Sequence, residues 1–530
     1  MLRKRRESPK PSSGEMASDS YKEKQANGEA FKSTTGYDVA SKLNLLTALI
    51  MVTLAAVTFN LYLTSRLESI GDIDEDDFPS FSQQHGGKDS YFHRPRVWIH
   101  GENMEVGYLR HVVESFHRIG YDLVNGTQEE WDVLWSHDYP IRKFFSTLKA
   151  HQRVNHFPGS GYITNKVSLA TSEMPHIPKA FHLPKDKEKF IEFAEKHPKR
   201  LWVKKSNNHR GIEIQKVQNM DLDSSGNFVQ EYIQNPLLID GKKFDIGLYV
   251  TLTSIDPLRV YIYDKDILLR FCKEPYHPFD PTNFDSYVVG DSYTPIWEMP
   301  SLNTTFTTLN YNMKQSLNLY LKSVGKDPDK MWRKIEEAIA MVYKEKEEFM
   351  SRAAAMSFKT TRNFFEMVRF DFLVDEDLNV YLMEANMSPN LSSLHFAPNK
   401  LLYEQVIFNL LSLVGLTRID GITDWHNYEA DKWDLRVSDK DLAINEEVCS
   451  SDECYLSCKS TKCRSCYMCL SDSMKFHLKD AFLEQKSIWS SKRLIPSTIY
   501  EHFNSETTNN LVQNDWFKAK CSSDPNWCSR

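Results

Sequence analysis

The chain has 530 residues, 41% hydrophobic and 12% aromatic, with a net charge of −7. That length suggests about two to four domain-sized units with ample apolar material for a core. The acidic balance excludes a general nucleic-acid binder, for which a basic domain is expected.

Residues 1–42 are rich in Lys, Glu, Ser and Gly, which predicts a disordered tail. Residues 43–63, LNLLTALIMVTLAAVTFNLYL, are 21 residues without a charge. As a helix they would be about 31 Å long, the thickness of a bilayer core, so a transmembrane signal anchor is expected there. Lys24, Lys32 and Lys42 precede the span, whereas the linker at 64–95 is acidic after Arg66. Positive residues prefer the cytoplasmic side, which favours a single-pass membrane protein with a cytoplasmic N-terminus and a lumenal or extracellular main domain; a cytosolic main domain is the alternative.

From residue 96, RVWIHG, a helical stretch with Leu109, Val112, Val113 and Phe116, then YDLV and WDVLW read as strand, helix, strand, strand, a small α/β unit to residue 160. Basic residues gather after it, at Arg142, Lys143, Lys149 and Arg153 and again at Lys199, Arg200, Lys204, Lys205 and Arg210. They form either a solvated face or an attractor of phosphates or acidic peptide. Over 331–358, Trp332, Ile335, Ile339, Val342 and Phe349 recur at helical spacing and predict a core-packing helix.

Residues 361–393, TRNFFEMVRFDFLVDEDLNVYLMEANMSPNLSS, read as a β-hairpin. Apolar stretches at 365–374 and 379–384 flank a turn marked by Asp375, Glu376 and Asp377. Asp371 shares a face with Met367, Arg369 and Leu373, and a turn centred near Asp377 and Leu378 sets it opposite Glu384. Two carboxylates that close repel unless a cation lies between them, and Asn386 adds an amide oxygen to a hard, oxygen-only donor set suited to magnesium. The same residues also fit the wet face of an ordinary antiparallel pair. Beyond it, eight of the nine cysteines fall after residue 448, as a disulfide framework or, from Cys463-x2-Cys466-x2-Cys469, a zinc site. Cys272 reads as a buried small residue.

The hairpin resembles the terminal ATP-grasp motif of the tubulin–tyrosine ligase-like family. RVNHFPG at 153–159, QEYIQNPLLIDGKKFDIGLYVTLTSIDPLRVYIY at 230–263 and LLRF at 268–271 resemble it too, in the family's order. The resemblance implies an α/β (α+β) ATP-grasp ligase: an N-terminal α/β domain at 96–160, a central domain at 161–235, a C-terminal domain with the metal site at 236–420, and a Cys-rich extension at 421–530. It implies that Lys166 and Lys204 face phosphate, that Arg210 and Gly211 form a phosphate loop, and that Gln230, Glu231, Tyr232 and Ile233 are the adenine hinge. Lys243 and Asp245 become nucleotide contacts, Lys243 and Arg270 catalytic groups, and Arg270 with Tyr293 the amino-acid site. Asp371, Glu384 and Asn386 become ligands of the magnesium that accompanies ATP.

The implied reaction joins free glutamate to glutamate side chains of an acidic protein through an acylphosphate. The acceptor is a tubulin tail by resemblance, or a lumenal acidic protein if the topology above holds. Three positions depart from the family pattern. Gly247 stands where Arg is usual and removes a fixed cation; Glu213 replaces a Gly and adds a repulsion of about 1 kcal/mol or more beside phosphate; VVGDSY, with Asp291 and Ser292, replaces HLTNY. An active ligase and a membrane-anchored pseudoenzyme that binds an acidic partner or nucleotide therefore both stay open; nucleotide turnover discriminates them, and the cheap observation is whether another cation compensates for Gly247 and Glu213 in space.

Overall fold

The computed structural model describes residues 94–101, 107–139, 148–206, 212–358, 360–417 and 436–529. They fall within one unit, Ser90–Arg530. The expected tail at 1–42, the anchor at 43–63 and nearly all of the linker at 64–95 lie outside the described residues, as do Arg142, Lys143, Arg210 and Gly211. Among the described residues no helix is long and apolar enough to cross a membrane. The longest of them, Pro328–Ala355, has 28 residues but carries charged side chains from Asp329 to Arg352. This corrects the expected single-pass membrane localisation, which no described helix supports.

The first sheet is built on short strands, β1 (Arg96–His100), β2 (Asp122–Leu123), β3 (Val133–Ser136) and β4 (Arg153–Val154), ordered β2-β1-β3-β4 and parallel throughout. β3 is buried along its whole length, as a parallel strand covered on both faces requires. Helix α1 (Arg110–Arg118) seats Val112 and Phe116 in the core, so the strand–helix–strand–strand reading is what the chain adopts.

A second, antiparallel sheet follows, β5 (Ala180–Leu183), β6 (Trp202–Ser206), β7 (Glu213–Gln215) and β8 (Asn227–Glu231), ordered β5-β8-β6-β7. Helix α2 (Lys187–Lys196) closes one side by packing Phe190 against Phe181 and Trp202.

The third sheet has eight strands and carries most of the core. Its spine is β10 (Lys242–Ile255), rich in β-branched and aromatic residues and buried along nearly all its length. β9 (Leu238–Ile239) pairs with its start. One edge of β10 is shared by β12 (Leu268–Phe271) near its start and β11 (Leu258–Tyr263) near its end; β13 (Thr294–Pro295) continues beyond β12. The other edge pairs with β14 (Glu366–Val374), which pairs with β15 (Val380–Met387).

Helix α3 (Pro328–Ala355) is started by the Asp327 side chain, which accepts from Asp329 N, and by Pro328 at its first position. Trp332, Ile335, Ile339 and Val342 face the core as expected. Phe349 does not: it is 48% exposed and lies against Tyr162, while Met350 takes the inward place.

The C-terminal extension is stitched into this sheet. After α4 (Lys400–Leu413) and the cysteine-rich stretch come α5 (Asp472–Lys486), β16 (Ser491–Ile495) and α6 (Thr508–Ser523); β16 adds antiparallel to β11. All eight clustered cysteines are paired, Cys449–Cys466, Cys454–Cys463, Cys458–Cys469 and Cys521–Cys528, so each sulfur of the zinc-like spacing goes to a different disulfide. Cys272 is free and buried.

The second tie is electrostatic. Glu484 of α5 accepts from Thr253 Oγ1 at 2.9 Å, Tyr261 Oη at 2.8 Å, and Arg259 Nε and Nη2 at 2.9 and 3.1 Å. Arg259 is 1% exposed. Removing the carboxylate strands a buried guanidinium, so Glu484→Ala is expected to cost about 3–5 kcal/mol in urea unfolding. Cutting the exposed Lys518–Glu501 pair should change nothing measurable.

Candidate active site

The hairpin turn is held by Asp375, whose Oδ1 accepts from the backbone N–H groups of Asp377 and Asn379 at 3.0 and 2.8 Å. From there the strands pair as Val374↔Val380, Leu373↔Tyr381 and Phe372↔Leu382, centred on Asp377. Continued unbroken, that register would set Asp371 against Met383 and turn Glu384 and Asn386 to the other face. The register shifts between Asp371 and Phe372 instead, so that Asp371 pairs with Glu384 and Arg369 with Asn386. The β-bulge at Met383 is what brings both donors onto the Asp371 face, the re-aiming role such bulges have.

β10 and β12 bring the next layer. Asp245 pairs with Arg270 in register, and the guanidinium donates to both carboxylate oxygens, Nε to Oδ1 at 2.9 Å and Nη2 to Oδ2 at 2.8 Å. Arg270 Nη2 also reaches Asp371 Oδ2 at 3.1 Å. Asp371 takes two further bonds from Arg369, at 2.7 and 2.9 Å, and one from Asn386 Nδ2 at 2.9 Å. Glu384 is paired with Lys166 at 2.9 Å, on the short helix Lys166–Ala170 capped by Asn165.

Asp245, Arg270, Asp371 and Glu384 line a cavity of about 200 Å³; Lys166, Arg369 and Asn386 are not among its lining residues but bond to Glu384 and Asp371. A second cavity, of about 80 Å³, lies beside α5, where Arg259 and Arg362 are already matched by Glu484 and Asp480. The first, where the predicted site residues converge, is the candidate cleft.

Of the residues expected at an adenine hinge, Glu231, Tyr232 and Ile233 line the cleft, whereas Gln230 is buried outside its lining and accepts from Lys205 Nζ at 2.9 Å. Glu231 itself is held by Arg200 at 2.6 Å. Lys243 lines the cleft, lies 5.0 Å from the Tyr232 ring centroid and donates to Tyr287 O. Lys204 is not there. It points out to Asp221 at 3.2 Å, and its neighbour Lys205 lines the cleft in its stead. Alternation along β6 was the available signal, since Lys205 shares the face of buried Val203. Tyr293 is not among the lining residues: its hydroxyl accepts from Asn399 Nδ2 at 2.8 Å and its ring lies 4.2 Å from that of Phe396. Asp291 and Ser292 are exposed. Arg369, read from the sequence only as a face-mate of Asp371, proves to be its closest cation.

Charge sorts the two aspartates. Burial pushes the Asp245 carboxyl up to about 6 against the pull of Arg270. Burial acts on Asp371 too, but Arg369 and Arg270 together outweigh it and hold it below the usual range. Glu384 is also held low: burial and Asp371 raise it, and Lys166 and Asn386 prevail. Two ionised carboxylates in register, with an amide beside them, are a donor set for a hard divalent cation.

A sequence profile of the Tubulin-tyrosine ligase family matches residues 145–420. The "Probable tubulin polyglutamylase ttll-15" of Caenorhabditis elegans is 41% identical over 449 residues, 82% of this chain and 87% of that protein. The chain belongs to the tubulin-tyrosine ligase family. Its members are ligases, and this chain is one. The "Tubulin monoglutamylase TTLL4" of Mus musculus is 28% identical over 55% of this chain and 26% of its own length. The "Tubulin polyglutamylase TTLL6" of Mus musculus is 28% identical over 64% of this chain and 42% of its own length.

Burial lowers the Lys205 ammonium to about 8, with Glu384 opposing and Lys243 and Lys166 adding to the fall. Its charge is present below that pH and lost above it. Affinity of the cleft for pyrophosphate, followed by calorimetry, should therefore decline as pH rises through about 8. Lys205→Arg should flatten the profile, and Lys204→Ala should leave it unchanged.

Proposed function

We propose that this ligase uses ATP with magnesium to join the amine of free glutamate to glutamate side chains in an acidic protein tail, that of tubulin, on which the relatives' names say they act. The observation that carries the reading is the convergence of Asp371, Glu384 and Asn386 with Arg270, Lys243 and Lys205 around one ATP-grasp-like cleft. Asp371, Glu384 and Asn386 fit magnesium, because both carboxylates are held ionised and the amide, donating through nitrogen to Asp371, keeps its oxygen as an acceptor. When bound there, the ion supplies charge neutralisation on phosphate oxygens.

Lys205, Lys243 and Lys166 are the cations nearest to where a triphosphate would lie, with Tyr232 and Ile233 as the purine wall. The acceptor carboxylate attacks the γ-phosphorus, the bond to ADP breaks, and an acylphosphate forms. The glutamate amine then attacks the acyl carbon, phosphate leaves, and the amine proton passes to solvent as the amide forms. Nothing in this sequence needs a protein nucleophile; positioning and charge neutralisation carry it. Arg270 takes the incoming amino acid's carboxylate, since a guanidinium matches a carboxylate with two parallel bonds, as it does with Asp245 in the structure.

Two variants test the reading. Glu384→Gln should weaken magnesium-dependent ATP binding by about 10- to 100-fold in calorimetry, and unchanged binding sinks the metal assignment. Arg270→Lys keeps the charge but not the fork, and should raise the KM for glutamate in a labelled-glutamate assay on tubulin-tail peptides; an unaltered KM removes Arg270 from the amino-acid site.

A further inference from the structure

Gly247 sits in the interior of β10, opposite Asp371 of β14. A glycine there forgoes side-chain packing and costs backbone entropy, so it calls for a cause. Conformation is not the cause, because Gly247 is not among the positive-φ glycines. Space is. A Cβ at 247 would lie 3.0 Å from Arg369 Cδ, 3.2 Å from Asp371 Oδ1 and 3.4 Å from Arg369 Nε. The Arg369 stem crosses the face of the glycine diagonally on its way to Asp371. It has little freedom to yield, being 7% exposed and fixed to both Asp371 oxygens.

We propose that Gly247 and Arg369 act as one unit: the glycine leaves the room through which Arg369 reaches across from β14, and Arg369 is a positioning residue that holds Asp371 for magnesium nucleotide. The role toward nucleotide rests on the function proposed above; the packing relation does not.

The unit divides labour between two arginines. Arg270 gives two bonds to Asp245 and only one to Asp371, whereas Arg369 gives both of its bonds to Asp371. Asp371 therefore keeps a counter-charge that does not depend on Arg270. A glycine at 247 offers no cation of its own, and the adjacent strand supplies one to the same carboxylate.

The test has two independent readouts. In thermal unfolding, Gly247→Ala should lower the midpoint of the natural chain but not of the Arg369→Gly chain, because the contact it offends is then gone. In calorimetry, Arg369→Gly should weaken magnesium–ATP binding about 10- to 100-fold while leaving the KM for glutamate within about twofold, and Gly247→Arg with Arg369→Gly should restore affinity to within about fivefold of the natural chain. If Arg369→Gly does not fold, Arg369→Lys is read instead, with the same loss expected because lysine lacks the fork.

Equal cost of Gly247→Ala in both backgrounds overturns the packing relation. Natural ATP affinity in the Arg369 variants overturns the positioning role. A natural chain that binds no ATP overturns the proposed function and that role together, while the unfolding comparison still decides the pair.

Discussion

Two arginines and two aspartates, one pair buried and the other partly so, meet where β10, β12 and β14 run side by side. Arg270 clamps Asp245 and touches Asp371; Arg369 clamps Asp371 from the other side. Charges taken out of water this way are tolerated only when each has its counter-charge at bonding distance. The pairings Asp245↔Arg270, Gly247↔Asp371 and Asp371↔Glu384 are all register pairs, so one set of ionic bonds constrains three strand alignments. A slip of one residue in any of them would reverse the facing of the strand and break the chain of charges.

The cleft gathers charge of both signs. Lys205, Lys243 and Arg270 line it with Glu231, Asp245, Asp371 and Glu384, and Lys166, Arg200 and Arg369 pair with three of those carboxylates. The field there depends on this local arrangement rather than on the net charge of −7. Several of these cations are engaged with the site's own carboxylates, which keeps them oriented without water having to be reorganised around them.

Much of the hairpin was legible: alternation, a turn dense in aspartate and a plausible centre placed Asp371 opposite Glu384. The route to that pairing was not. The turn centre lies at Asp377 alone, and the bulge at Met383, which no residue type announces, restores the facing. Lys204 was chosen over Lys205 because motif order says nothing about which face of a strand a side chain takes. Phe349 continued a helical stripe in the sequence, yet the helix turns it outward at the end of the core. The extension stayed obscure because a five-residue strand such as β16 carries too few residues for a period to show. The anchor rested on hydropathy alone, and no described helix has that character.

β16 has one more consequence. It covers the outer edge of β11, where Val260 and Tyr261 pair with Ile495 and Arg493. A chain cut after α4 would keep every residue of the cleft and still bare that edge, a row of unpaired backbone donors and acceptors flanked by buried apolar side chains. Such edges recruit strands from other molecules. The extension thus doubles as a guard against self-association, and in practical handling the ligase has to run past α6 to Cys528, the partner of Cys521, rather than stop at the end of the family match.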